Sequence, residues 1–173
     1  MTVTFDKTFE RVIGHEGGFQ DDVRDRANWT SGVCGVGECK GTKYGLAAMT
    51  YPTLDIRNLT LDQARAIYKR DWWDKLGMDK YPPALTYQMF DASINHGSGR
   101  AIQFVQKAVG TKADGIIGSK TLAAVYSKDK NDLLMLFLAE RLQYFTEVKI
   151  WKTYCTGWTR RVVQNLRYAA EDN

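Results

Sequence analysis

The chain has 173 residues, of which 44% are hydrophobic and 25% charged, with a formal net charge of +4, which fits one soluble domain or two lobes sharing a core. The strongly apolar stretch LLMLFLA (133–139) is too short to span a bilayer, and the N-terminus MTVTFDKTFERV lacks the basic start and apolar core of a secretory signal. No block of like charges marks a nucleic-acid arm, so nucleic acid is not an expected partner.

In chain order, Phe5, Phe9, Val12 and Ile13 recur at i, i+4, i+7 and i+8 and predict a helix over 5–14. Glu16 continues the same face, and Gly17 and Gly18 end it. Two readings of Glu16 follow. One is a solvated helix end capped by glycines; the other is a carboxyl held in an apolar wall. Desolvation in such a wall raises a carboxyl pKa and suits it to act as a general acid.

Residues 19–45 are rich in Gly, Asp, Asn, Thr and Ser and read as turns with short strands, SGVCGVGECKGTKYG forming an irregular hairpin. Asp21, Asp22 and Asp25 follow within nine residues of Glu16. Paired carboxyls facing each other are the usual equipment of glycoside hydrolysis. The same acids could be turn formers or calcium ligands, although the spacing does not match the calcium-loop pattern. Cys34 and Cys39 can close a small disulfide or remain two thiols; Cys155 is remote. With two histidines and no CxxC or HxxxH spacing, no metal site and no cofactor are expected.

The remainder reads as helices. NLTLDQARAIYKRDWWDKL (58–76) carries a Thr60–Gln63 capping box with Leu59 and Ala64 as its staple, and an apolar face of Leu61, Ala64, Ile67, Tyr68 and Trp72. Helices are further predicted at 82–97, at 98–110 with Ser98 as cap, and from Ser119 through Tyr126 after the turn TKADGIIG. The segment 130–151 is expected to be the longest and central helix, and the last helix to start near Trp158 and run to about Ala170. No strand-helix alternation or phosphate-binding glycine loop is present, which argues against a nucleotide-binding α/β fold.

Six segments together resemble a known family: ERVIGHEGGF, TKYGLA, LTLDQARAIYKRDWWDKL, MFDASINHGSGRAIQFVQKAVG, ADGIIGSKT and GWTRRV. In this order they resemble glycoside hydrolase family 108, the phage and prophage N-acetylmuramidases. The resemblance implies a mainly α, lysozyme-like fold with a small irregular β-hairpin lobe near the N-terminus. It implies a catalytic lobe over 1–80 and a helical lobe over 81–173 resembling a predicted peptidoglycan-binding domain, packed as one compact domain. Glu16 maps onto the family's proposed catalytic glutamate. Asp22 and Asp25 match the two aspartates of its D-x-x-D-P-G-G-x-T-x-Y-G segment, and Thr42, Tyr44 and Gly45 match the end. Where the family has a short Pro-Gly-Gly turn, this chain has RANWTSGVCGVGECKG, and a Cys34–Cys39 disulfide stapling that insertion is the corresponding hypothesis.

The implied activity is hydrolysis between N-acetylmuramic acid and N-acetylglucosamine. Glu16 is the expected acid, and Asp25 and Thr42 face it across the sugar or a water. Asp22, Lys43, Tyr44, Asp91 and Asn95 are expected on the substrate side, Asp91 and Asn95 alternatively forming an interhelical polar pair. Peptidoglycan glycan strands are the expected partner of a monomer. Weak contact with an anionic outer-membrane surface is expected through Arg160, Arg161 and Arg167. The implied biology is an endolysin made in the host cytoplasm and released to the wall. A lytic transglycosylase and a non-catalytic wall-binding phage protein are the competing readings.

Overall fold

The computed structural model describes residues 3–14 and 18–173. His15, Glu16 and Gly17 fall outside the described residues, so the expectation placed on Glu16 is not addressed by its geometry. The described chain is mainly helical, with one two-stranded antiparallel sheet. It divides into two compact units: Phe5–Asp71, and Trp72–Asn173 together with Met1–Thr4.

In the first unit, α1 (Phe5–Ile13) buries Phe5, Thr8, Phe9 and Val12. The Phe5 and Phe9 rings stack at 5.7 Å, and Phe9 meets Tyr68 edge-on at 5.5 Å. Strands β1 (Thr42–Lys43) and β2 (Leu46–Ala47) pair antiparallel, with Lys43 opposite Leu46. A two-residue connection between strands favours a turn with positive φ at both central positions. Tyr44 (φ 50) and Gly45 (φ 73) adopt it. Helix α2 (Leu61–Tyr68) starts with the capping box read from the sequence, Thr60 accepting from Gln63 N–H while the Gln63 side chain accepts from Thr60 N–H. Its buried face is Ala64, Ile67 and Tyr68; Leu61, expected on that face, is exposed.

The helix then continues as a π turn over Lys69–Asp74. One extra residue per turn moves the buried position from i+4 to i+5 relative to Tyr68. Trp73 is therefore buried, at 3% exposure, and Trp72, expected on the face, is not.

In the second unit the central helix is α3 (Pro83–His96), whose residues Ala84 to Ser93 are all buried. It packs against α4 (Ser98–Ala108), α6 (Lys130–Glu147) and α7 (Trp151–Asp172). The expected central helix, α6, instead leaves Met135, Leu136 and Leu142 exposed. The difference lies in how α3 satisfies its polar side chains. Thr86 Oγ1 donates to Pro82 O (3.1 Å), Ser93 Oγ to Met89 O (2.6 Å), and Gln88 Nε2 to Asn165 O (2.9 Å). A buried polar group with a partner costs little, so composition alone understates how deeply this helix sits. Ser98 does not cap α4; Gly97 holds that position and Ser98 is the first helical residue. Helix α5 spans Ser119–Ser127.

Helix α6 ends where Val148 turns extended (φ −80, ψ 138), and α7 begins at Trp151 rather than near Trp158. At 22 residues, α7 is longer than the 18-residue α6. Gly157 lies inside α7, and a Cβ there would meet nothing within 4 Å. Glycine inside a helix costs about 0.5–1 kcal/mol relative to alanine. Gly157→Ala is therefore expected to raise stability by about that amount, read as an upward shift of a few degrees in thermal unfolding.

Candidate active site

The acidic loop after Glu16 is organised by a reciprocal amide pair. Gln20 Nε2 donates to Asn28 Oδ1 (3.1 Å), and Asn28 Nδ2 donates to Gln20 Oε1 (2.8 Å). Asn28 is fully buried. Its Nδ2 also donates to Asp22 O (3.0 Å), and its backbone carbonyl accepts from Lys40 and Gly41 N–H. The hub thus ties both ends of the insertion to the loop before it. Gly41 (φ 83) is required at this crossing, because a Cβ would lie 2.5 Å from Gln20 O. Main-chain bonds between Gln20 and Thr42 close the base, at 2.9 and 2.8 Å.

Two expected catalytic groups hang on this hub. Thr42 Oγ1 donates to Asn28 Oδ1 (2.7 Å), which leaves the hydroxyl oxygen able to accept. Asp25 is exposed; its Oδ1 accepts from Ala27 N–H (2.9 Å), and its Oδ2 has a longer contact with Gln20 Nε2 at 3.4 Å. The structure thus joins Asp25 and Thr42 through Gln20 and Asn28. Neither amide stood out in the sequence, where Asn and Gln in a polar loop look like ordinary turn residues.

Asp25 is also the N-cap of the 3₁₀ turn Arg26–Asn28. Losing such a cap costs about 1 kcal/mol, whereas Asn caps as well as Asp. Asp25→Ala is expected to lower the unfolding midpoint and Asp25→Asn to leave it nearly unchanged, as denaturant titration of both variants will show.

The other expected residues of this unit are placed differently. Asp22 is gripped by Arg24, whose Nε and Nη2 donate to its two oxygens at 2.9 and 2.7 Å while the Arg24 N–H adds a third bond. Those bonds hold the Asp22 carboxyl down at about 2. Lys43 Nζ donates to Arg57 O (3.1 Å) and lies 5.4 Å from the Tyr44 ring centre. Tyr44 is half-buried, and its carbonyl accepts from the Tyr68 hydroxyl at 3.0 Å. A tyrosine held at positive φ is uncommon, and such strain concentrates at functional positions.

The expected Cys34–Cys39 disulfide is not formed. Both are free thiols, the Cys34 Sγ lying 3.5 Å from Arg24 O and the Cys39 Sγ 3.7 Å from Asp21 O. Each thiol meets a different carbonyl of the acidic loop, so the loop is held by the Asn28 hub and main-chain bonds instead.

In the second unit Asp91 is 1% exposed. Its Oδ2 accepts from Arg141 Nη1 (2.5 Å) and Asn165 Nδ2 (2.8 Å), and its Oδ1 from Arg161 Nε (3.0 Å) and Nη2 (2.7 Å). Asp91 is therefore an interhelical tie between α3, α6 and α7, with no oxygen offered to a sugar. Burial alone would raise its carboxyl; the two guanidiniums, with the bonds from Arg161 and Asn165, bring it well below the usual carboxylate range. Asn95 is exposed and donates to Asp91 O at 3.3 Å, a contact within α3. Tyr87, one turn before Asp91, is buried and donates to Asn165 Oδ1 (3.2 Å). Among the described residues, no cluster of His, Cys, Asp and Glu is placed to hold a metal.

The fold, mainly helical with its small antiparallel sheet, is lysozyme-like. The acidic loop and its sheet lie within residues 9–97, which match the model of the glycosyl hydrolase 108 family; residues 100–163 match a predicted peptidoglycan domain. The protein is a lysozyme-like glycoside hydrolase active on peptidoglycan. The chain belongs to glycosyl hydrolase family 108. It is similar to the solved structure of SagA from Brucella abortus, with a TM-score of 0.82 and 28% identity over 97% of this chain and 94% of that one. No curated protein matches it.

Proposed function

We propose that the chain is an N-acetylmuramidase that hydrolyses the β-1,4 bond between N-acetylmuramic acid and N-acetylglucosamine, and that it serves as a phage endolysin. Glu16 donates a proton to the glycosidic oxygen. Asp25 and Thr42 hold the water that meets the oxocarbenium-like centre. The reading is carried by one observation: an exposed carboxylate, nine residues beyond Glu16, and a hydroxyl with accepting capacity are tied to the same Gln20–Asn28 amide pair in the family-matched segment. Hydrolysis, unlike anhydro-sugar formation, needs a held water, and these two groups supply acceptors for one. Tyr44 and Lys43 lie on the substrate side, and Asp22 braces the loop through Arg24. The enzyme acts on the wall as a monomer after release from the host cytoplasm.

Mass spectrometry of muropeptides released from purified peptidoglycan tests this. Products with reducing N-acetylmuramic acid ends are expected. Products ending in 1,6-anhydro sugars would make the protein a lytic transglycosylase. Sedimentation with peptidoglycan without any released product would make it a wall-binding module.

A further inference from the structure

The turn 111–118 and the start of α5 line a groove of about 620 Å³ in the second unit. A volume of this size suits a ligand of several residues. The turn is fixed from inside. Gln106 of α4, 1% exposed, donates through Nε2 to Asp114 Oδ1 (2.8 Å) and Ile116 O (3.0 Å) and accepts from Gly115 N–H (2.9 Å). Asp114 Oδ1 also accepts from Ile116 N–H at 3.1 Å. One oxygen of the single carboxylate lining the groove is thereby committed to its own turn. Lys112 and Lys120 line the groove as well, both exposed, with Lys112 near enough to Asp114 to help hold its carboxyl down. On the rigid turn stands Ile116, at 71% the most exposed large apolar side chain among the described residues. Its side chain gives the groove an apolar contact point.

We infer that this groove holds the peptide stem of peptidoglycan rather than its glycan. The inference rests on the peptidoglycan reading of the chain, and every lining residue falls inside the segment matching the predicted peptidoglycan domain. Stem peptides carry free carboxylates and alanine methyl groups. Two exposed ammoniums beside an exposed isoleucine complement that chemistry. Sugar rings call for aromatic faces, and the groove has none.

The test titrates the full chain with free stem tetrapeptide, followed by amide NMR shifts and calorimetry. Shifts at Gly115, Ile116 and Lys120 are expected. The pair Lys112→Glu with Lys120→Glu is expected to weaken binding about tenfold, and Lys112→Arg with Lys120→Arg to retain it. Unchanged helical circular dichroism checks that the charge-reversed chain is folded. Absence of these shifts at millimolar peptide, or binding undiminished by charge reversal, overturns the inference. Peptidoglycan hydrolysis is measured separately. A chain that hydrolyses but ignores the peptide loses only the groove assignment; one that binds the peptide but never hydrolyses loses only the muramidase reading.

Discussion

Glu16→Gln is expected to reduce the release of reducing ends from peptidoglycan by about 10²- to 10⁴-fold, the range a positioned general acid contributes. The amide keeps the volume and the helix propensity of the acid and removes only its transferable proton. Helical circular dichroism and the unfolding midpoint are therefore expected to stay near wild type. The sequence motivates the choice: Glu16 stands four residues after Val12 and three after Ile13, and Val12 is buried at 1% exposure. A variant that lyses peptidoglycan at close to the normal rate would remove Glu16 from the mechanism. Comparison with Asp25→Asn sharpens the result. That substitution keeps the loop cap but halves the carboxylate's accepting capacity, so its effect on rate reads the water-holding role without a folding contribution.

The largest effect on stability is expected at Asp91. Arg141 is fully buried and depends on Asp91 for its charge partner; its Nε donates to His96 Nε2 at 3.1 Å. Asp91→Ala removes the anion shared by Arg141 and Arg161 and leaves a buried cation uncompensated, at a cost of about 3–5 kcal/mol. Asp91→Asn is expected to do nearly as badly, since it offers a neutral acceptor and turns an amide N–H toward a guanidinium. Asn95→Ala, four residues on but exposed, is expected to stay within about 0.5 kcal/mol of wild type. Urea titrations of the three variants check the order, and a well-folded Asp91→Ala chain of wild-type stability would contradict it.

The same network sets an acid response. Burial, and then the nearby Arg141 charge, push His96 down from 6.5 to about 3, so the native chain keeps it neutral where the unfolded chain takes up a proton. Stability is therefore expected to fall as pH drops from about 6.5 toward 3, because the unfolded state binds more protons there. Asp91 adds a second loss at lower pH. Its native carboxyl lies below the ordinary 3.8, so its contribution is present above that value and is lost as acid protonates it. In His96→Gln the first slope should flatten and the second remain, as unfolding midpoints across pH will show.

The elements that were legible in the sequence are those with local causes. The Thr60–Gln63 box, the proline opening α3, Gly97 at its end and the apolar spacing of α1 all act within a few residues of themselves. What was illegible depends on partners far along the chain. Thr86, Gln88, Asp91 and Ser93 made α3 look less apolar than α6, yet two of them bond into α7, 77 and 70 residues away. The start of α7 was expected near Trp158 and lies at Trp151, because propensity is a weak prior that helix packing overrides. The candidate site divides in the same way. Asp25 stood out by chemical type as one of three acids after Glu16, and Thr42 through the family resemblance. The amides that join them did not, because Gln20 and Asn28 acquire their importance only when the chain folds back to bring Thr42 beside them.

That folding back has a consequence for how the loop tolerates change. Asn28 O accepts from Lys40 and Gly41, and the next rung up the stalk is Thr30 N–H on Glu38 O at 2.9 Å. Everything the candidate site uses lies at or below Asn28. The tip from Ser31 to Gly37 hangs beyond the last rung like a spur on a closed ring. The tip nevertheless touches the ring at two points, the Cys34 thiol on Arg24 O next to Asp25 and Gly32 against the Met49 side chain, so the exposed side chains of Val33 and Val36, rather than its length, are the natural places to vary or graft onto while leaving the chemistry where it is.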